Sequence, residues 1–436
     1  MQKTVHILIA TIILFSCSQN EATDNINEPQ TLGEKILSIQ LPAHFTRASE
    51  KFHIILSDTI GNLIDHKSYS NREETLSFYS TEHFSDSTPF ILTFITDYSN
   101  SIFEVTVYSN LTNHSLNKNI LLKPRSFSNK TPTINIKTQQ LKDGFILNAI
   151  GHGYSMVKIN DLLSGHYTSN FNNNLGSENI FIKYYNPTNI TNNNYEWALM
   201  NNISSINGLD EINFSTNNVK TKQLTLDVRT ELPLLTIHGY ENEQLYNNIS
   251  GHQIYDSQVP VYGFGGNHYY AYADIFENTT YSLSVTNYSL FGAGIPPSEI
   301  LVPKHEISCS LLDNKFSYSG IQGYEVGRIK LDNYNKNLNI DLIFDGQSSN
   351  IIIPKIPTGL VPDEITNIIN ERKLRLVQAV AENYSTFSSY NSYISNVLKT
   401  STPFYLKSPK RERIFKPYSS SSPKPIFEFP YLNRFI

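Results

Sequence analysis

The sequence predicts a mainly β, multidomain protein with a small α/β portion towards its C-terminal end. Three observations predict it. Apolar and polar residues alternate in many short segments. Gly, Asn, Asp, Ser or Pro breaks each segment after about five to nine residues. Helical periodicity is confined to two late stretches. Of the 436 residues 39% are apolar, with 27 Tyr and 24 Phe, enough for a sizeable core and too many for wholesale disorder. A formal charge of -5 gives no support to a surface built for nucleic acid, and no nucleic-acid partner is expected.

The chain opens with MQKTVHILIATIILFSCSQN. Val5 to Phe15 is apolar apart from His6 and Thr11. As a helix it would be about 17 Å long, short of the roughly 30 Å hydrocarbon core of a bilayer. Lys3 precedes it and the small Ser16 closes it, the order of an export signal that is removed. Leu14-Phe15-Ser16-Cys17 resembles the lipobox of bacterial lipoproteins, although Phe15 is bulkier than that motif usually has. The resemblance covers only the first twenty residues. It implies that residues 1–16 are cleaved and that Cys17 becomes a lipidated first residue. The acyl groups would then hold the protein to a lipid bilayer of the cell envelope, at the outer membrane, on its periplasmic or its exterior side. A plain secretory signal with an incidental Cys17 is the alternative. Several acyl chains, at about 0.8 kcal/mol per buried methylene, make such an anchor effectively permanent. Residues 17–30 hold no apolar run and read as a flexible tether.

Residues 31–130 are expected to form one immunoglobulin-like sandwich. Phe52, Ile54 and Leu56 line one side of a strand, Asp58 to Asn62 supply turn chemistry around Gly61, and a second strand resumes at Leu63. Phe103, Val105 and Val107 share a face, with Glu104, Thr106 and Tyr108 opposite. A second β unit is expected over 131–235, where Leu224, Leu226 and Val228 alternate with Thr225, Asp227 and Arg229. A third runs from 236 to 350, with Leu338, Ile340, Leu342 and Phe344 on one face. GHGY at 151, HGY at 238 and QGY at 322 echo one another, but their surroundings do not align as a repeat.

Residues 351–400 read as a strand and helix passage packed on the last β unit. PDEITNIINERK starts a helix with Asp363 and Glu364 and ends it near Lys373, matching the helix dipole. LRLVQAV reads as a strand, and Tyr390, Ile394, Val397 and Leu398 form one helical stripe capped by Ser388 or Ser389. Residues 401–436 form a basic, Pro- and Ser-rich segment: seven Lys and Arg against Glu412 and Glu428, six prolines, and SSSS at 419–422. That composition argues against a place in the centre of a sheet. The segment is expected to dock on the acidic body, with anionic lipid or an envelope component as the alternative.

No HExxH, GxSxG, phosphate-binding glycine loop or calcium-loop consensus is present, so no cofactor or metal is expected from motifs. With Cys17 spent on lipid, Cys309 is alone and reads as a buried, inert thiol. In NHYYAYADIF, a strand would send His268, Tyr270, Tyr272 and Asp274 to one face and Tyr269, Ala271, Ala273 and Ile275 to the other. The first set is the candidate ligand-binding face, beside a flexible GFGG turn, suited to a sugar ring or an extended peptide. A tyrosine-rich exposed sheet face with good cross-strand packing is the plainer account. His152, His238 and His252 each lie beside glycine, but nothing in their spacing makes them converge on zinc. Asp210 and Glu211 point apart on a strand, and Asp341 and Asp345 would lie roughly 13 Å apart, so neither pair makes a glycosidase dyad. The expected function is therefore a noncatalytic binding or assembly role for a membrane-anchored lipoprotein recognising glycan, extended peptide or another envelope protein. The alternatives are an exported hydrolase acting on carbohydrate or peptide, and a purely structural accessory protein.

Overall fold

The computed structural model describes residues 33–98, 101–122, 133–137, 142–151, 154–159, 166–171, 179–187, 191–201, 212–227, 234–247, 250–257, 267–285, 287–312, 315–335, 337–399 and 409–418. These residues form a mainly β structure of several sheets with a small helical portion. None of the described helices is long and apolar enough to cross a membrane. The signal, the tether, the GFGG turn and Cys17 lie outside the described residues.

The first part comprises β1 (Glu34–Leu41), β2 (Lys51–Ser57), β3 (Leu63–Ser68), β4 (Glu74–Ser80), β5 (Phe90–Asp97), β6 (Phe103–Leu111), α1 (Asn113–Leu116) and β7 (Asn119–Leu121). β1 pairs antiparallel with β4 and parallel with β7. β2 pairs with β3 and β5, and β5 with β6. Leu37, Ile39 and Phe78 from the first sheet share one core with Phe52, Phe94 and Tyr108 from the second. The expected β2–β3 hairpin is present, with Gly61 at φ +88° where a side chain would be strained. β2 is buried on both faces, which the alternating pattern alone does not reveal: Phe52, Ile54 and Leu56 enter this core, and Ile55 enters the main one.

β8 (Thr133–Lys137), β9 (Ile146–Gly151), β10 (Tyr154–Ile159), β11 (His166–Phe171), β12 (Ile180–Tyr185) and β13 (Tyr195–Met200) pair antiparallel in the order β8-β11-β10-β9-β12-β13. Leu147, Ala149, Ile180, Ile182 and Tyr184 make a core of their own beneath this sheet. The other face of β12, carrying Phe181 and Tyr185, joins the main core.

The remaining elements are β14 (Val219–Leu226), β15 (Leu234–Tyr240), α2 (Glu243–Asn247), β16 (His252–Asp256), β17 (Asn267–Ala273), β18 (Asn278–Val285), β19 (Tyr288–Ala293) and β20 (Glu299–Ile300). β21 (Ser308–Leu312), β22 (Lys315–Ser319), β23 (Val326–Asp332), β24 (Leu338–Asp345), β25 (Asn350–Ile352), α3 (Asp363–Asn370), β26 (Arg375–Tyr384), α4 (Tyr390–Lys399) and β27 (Lys410–Pro417) follow. β24 pairs parallel with β6. From β24 the ladder continues antiparallel through β23, β26, β27, β19, β18 and β15 to β16. β16 touches β9 through the single pair His252–Gly151. Two small sheets, β17-β14-β20 and β21-β22-β25, contribute Tyr270, Leu224, Phe316 and Ile351 to the main core.

Both expected late helices are present. In α4, Tyr393, Ile394, Val397 and Leu398 are buried in the core of the first part, and the Ser389 Oγ accepts the Ser392 N–H at 3.2 Å as its cap. α4 thus covers the core that the N-terminal strands begin. The expectation that the basic segment avoids a sheet centre is corrected for residues 410–417: β27 pairs with β19 on one edge and β26 on the other. Its prolines explain this, because Pro409 precedes the strand and Pro417 is its last residue, so neither interrupts the ladder.

Candidate functional site

A gathering of buried ionisable groups lies where the β9–β13 sheet meets β15 and β16. It begins with a lysine in an apolar strand. β12 reads IFIKYY, and strand alternation sends Lys183 to the same side as Phe181 and Tyr185, away from water. Lys183 is fully buried. Its Nζ donates to the Gln253 backbone oxygen at 3.1 Å and to Gln253 Oε1 at 2.8 Å. Burial pulls its pKa down to about 7, against an opposing pull from Asp256. An amine with those properties is partly neutral at physiological pH.

A bulge places its partners. Between β15 and β16 the register moves from Ile237–Tyr255 to His238–Gln253, leaving Ile254 without an opposite residue. Thr236 pairs with Asp256 and His238 with Gln253, so Gln253 and Asp256 emerge on one side of the sheet together with His238. Burial, then the nearby Lys183 and His252, lower the His238 pKa to about 4, which keeps the imidazole neutral. Tyr185 donates to the Asp256 backbone oxygen at 3.2 Å, and Tyr195 to that of Ile254.

A second chain of hydrogen bonds runs beside it. Gly151 has no side chain, so the Tyr154 ring lies against its backbone. The Tyr154 hydroxyl accepts the Phe181 N–H at 3.1 Å and meets His252 Nδ1 at 2.6 Å. Burial pushes the Tyr154 pKa well up, so the hydroxyl keeps its proton and donates to Nδ1. His252 Nε2 then donates to Glu241 Oε1 at 2.7 Å, and Asn179 donates to the same carboxylate. This Tyr–His–Glu relay fixes the histidine tautomer and clasps the β9–β13 sheet to β15 and β16.

The structure corrects the expected ligand face. His268, Tyr270 and Tyr272 are only 7%, 1% and 3% exposed, and of that set Asp274 alone reaches water. The outward residue is Tyr269, from the other set, at 53% exposure. His268 Nε2 accepts the Tyr255 hydroxyl at 3.0 Å, and burial lowers its pKa to about 4. Tyr270 packs on Tyr255 with ring centroids 5.6 Å apart, and Tyr272 stacks on Tyr270. The physical reason is that the main core covers the Tyr270–Tyr272 face of β17; on the other face Ala271 and Ala273 are buried too, with Tyr269 outward.

His238 and His252 come onto neighbouring strands through the β15–β16 pairing, while His152, Asp210 and Glu211 lie outside the described residues. Among the described residues no three His, Cys, Asp or Glu side chains gather as a metal site. Asp341 faces Lys330 at 4.0 Å. Cys309 is buried, with its pKa pushed up to about 12, so its thiol is inert near neutral pH. Farther along the ladder, Glu382 accepts Arg328 Nε at 2.9 Å and the Tyr384 hydroxyl at 2.6 Å and is ion-paired with Arg413, while Arg328 Nη2 donates to Tyr393 at 2.6 Å. An open cleft of about 440 Å³ lies elsewhere, lined by His305, Glu306, Gly320, Ile321, Gln322 and Gly323.

Sequence reasoning missed Lys183, Gln253, Tyr154 and Glu241. One signal was visible: a single lysine inside the apolar run IFIKYY. No protein-family model and no curated protein matches the chain.

Proposed function

We propose that this chain is a lipid-anchored protein of the bacterial cell envelope, built of several β domains with immunoglobulin-like sandwiches among them, and that it binds or assembles rather than catalyses. One observation carries the anchoring: Leu14-Phe15-Ser16-Cys17 closes the short apolar run behind Lys3. The polar stretch from Ser18 to Glu34, where β1 begins, is long enough to hold a folded body clear of a bilayer. The two sheets of β1–β7 around one core support the sandwich reading.

A noncatalytic role is favoured because the buried acids, histidines and tyrosines engage one another. The Tyr154–His252–Glu241 relay ends on Asn179, and Glu382 ends on arginines. The cleft beside His305, Glu306 and the 320–323 loop takes the place of the buried tyrosine face as the docking point for a glycan or extended peptide. Its open, partly polar lining suits a ligand that remains largely hydrated.

Mass spectrometry of the protein from its native membranes tests the anchor. Cys17 carrying acyl groups as the first residue is expected, and Cys17→Ser should move the protein to the soluble fraction. An unmodified Cys17 in membrane-recovered protein removes the anchoring role. A glycan and peptide array probed with wild type and with His305→Ala/Glu306→Ala tests the cleft, and binding that survives both changes assigns the ligand elsewhere.

A further inference from the structure

We propose that Lys183 and Gln253 become joined by an intramolecular isopeptide bond, which would cross-link β12 to β16. The contact supplies the geometry. Lys183 Nζ lies 2.8 Å from the carbonyl oxygen of the Gln253 side chain, so the amine rests against a carboxamide. Near-attack arrangements fall at roughly 3–3.5 Å between reacting atoms, a small rotation of the amide from such a contact. Both residues sit on strands, which hold them there without a mobile loop.

The chemistry of the surroundings points the same way. Attack needs the amine as a free base, and full burial supplies that by lowering the Lys183 pKa to about 7. Bulk water, which would compete, is excluded: Lys183 is 0%, Gln253 7% and Asp256 4% exposed. Proton transfer needs an acid–base group, and the Asp256 carboxylate acts electrostatically on Lys183 from the side of β16 that also carries Gln253.

The step balances without an oxidant or cofactor. The Nζ lone pair forms a bond to Gln253 Cδ, and the carbonyl electrons move to oxygen. The Asp256 carboxylate takes one proton from the new ammonium centre. As the carbonyl re-forms, the C–N bond to the carboxamide nitrogen breaks, and that nitrogen leaves with the proton as ammonia. An amine and a primary amide become a secondary amide and ammonia. The product ties the β9–β13 sheet covalently to β16, at the seam where, among the described residues, the ladder pairs β16 with β9 only at His252–Gly151.

Mass spectrometry of the full chain under denaturing conditions decides this. The expected intact mass is about 17 Da, one ammonia, below that calculated for its own N-terminus. A tryptic digest should contain a joined peptide linking Lys183 to Gln253, with no cleavage after Lys183. Gln253→Ala, in which no acyl donor remains, should show its full calculated mass and a peptide ending at Lys183. Asp256→Asn should lower the cross-linked fraction at early times by on the order of tenfold or more. Wild-type protein yielding a free peptide ending at Lys183 with an intact Gln253 peptide overturns the proposal. So does an ammonia loss that maps to any other residue.

Discussion

Replacing Glu382 by glutamine tests what holds the centre of the long ladder together. Glu382 and Arg328 are both fully buried, and Arg413 is 12% exposed. Burial by itself would raise the Glu382 carboxyl. The guanidiniums of Arg328, Arg413 and Arg411, with the Tyr384 hydroxyl, outweigh it and hold the pKa down to about 2. The carboxylate's stabilising effect is therefore present above the unfolded value of about 4.5 and is lost as pH falls through the folded one. Glutamine keeps the shape but removes the charge, leaving the guanidiniums of Arg328 and Arg413 beside each other without compensation. Breaking a buried pair in this way costs about 3–5 kcal/mol. Urea melts of wild type and Glu382→Gln at pH 7, 4 and 3 measure it. The variant should be less stable at pH 7 by that amount, and the gap should narrow as pH falls below about 4.5. A loss at pH 7 of less than about 1 kcal/mol, or a gap constant with pH, refutes the claim that the carboxylate's charge is what binds these strands.

Three further outcomes follow from the buried groups. Burial lowers His53 and His268 to about 4, so in the unfolded chain each binds a proton between roughly pH 6.5 and 4 while the folded form does not. Stability should fall over that window, and His268→Gln should flatten the fall in urea midpoints. Tyr154→Phe removes the hydroxyl that serves the Phe181 N–H and His252, and calorimetry should show a loss of about 2 kcal/mol; an unchanged Tm rejects the clasp. Iodoacetamide at pH 8 should leave Cys309 unlabelled in the folded protein and label it in urea, whereas rapid native labelling contradicts its burial.

Much of the fold was legible because it rests on local periodicity. Phe103–Val105–Val107 and Leu338–Ile340–Leu342–Phe344 declare strands, and Tyr390, Ile394, Val397 and Leu398 declare a helix stripe, each from its own neighbours. What those strands pair with is not local. Nothing in Phe103–Leu111 announces a parallel partner at Leu338, and nothing in KRERIFKP announces two strand neighbours. The tyrosines of β17 misled for a related reason: alternation tells which residues share a face, whereas burial depends on what covers it. Tyr270 and Tyr272 read as an exposed face, whether binding or merely packing across strands, and both are core. The polar seam was hidden because its members come from β10, β12, β15 and β16. The bulge that turns Gln253 and Asp256 to one side has no sequence mark of its own.

β27 has a consequence for biosynthesis. Until residues 410–417 emerge, β19 and β26 each lack the neighbour that fills their shared gap. β6 likewise waits for β24, and the core of the N-terminal strands waits for α4. Folding from the N-terminus in step with synthesis would stall with unpaired hydrogen-bonding edges open to any passing strand. Stable pairing therefore waits for nearly the whole chain, and until then those edges are safe only while nothing else pairs with them.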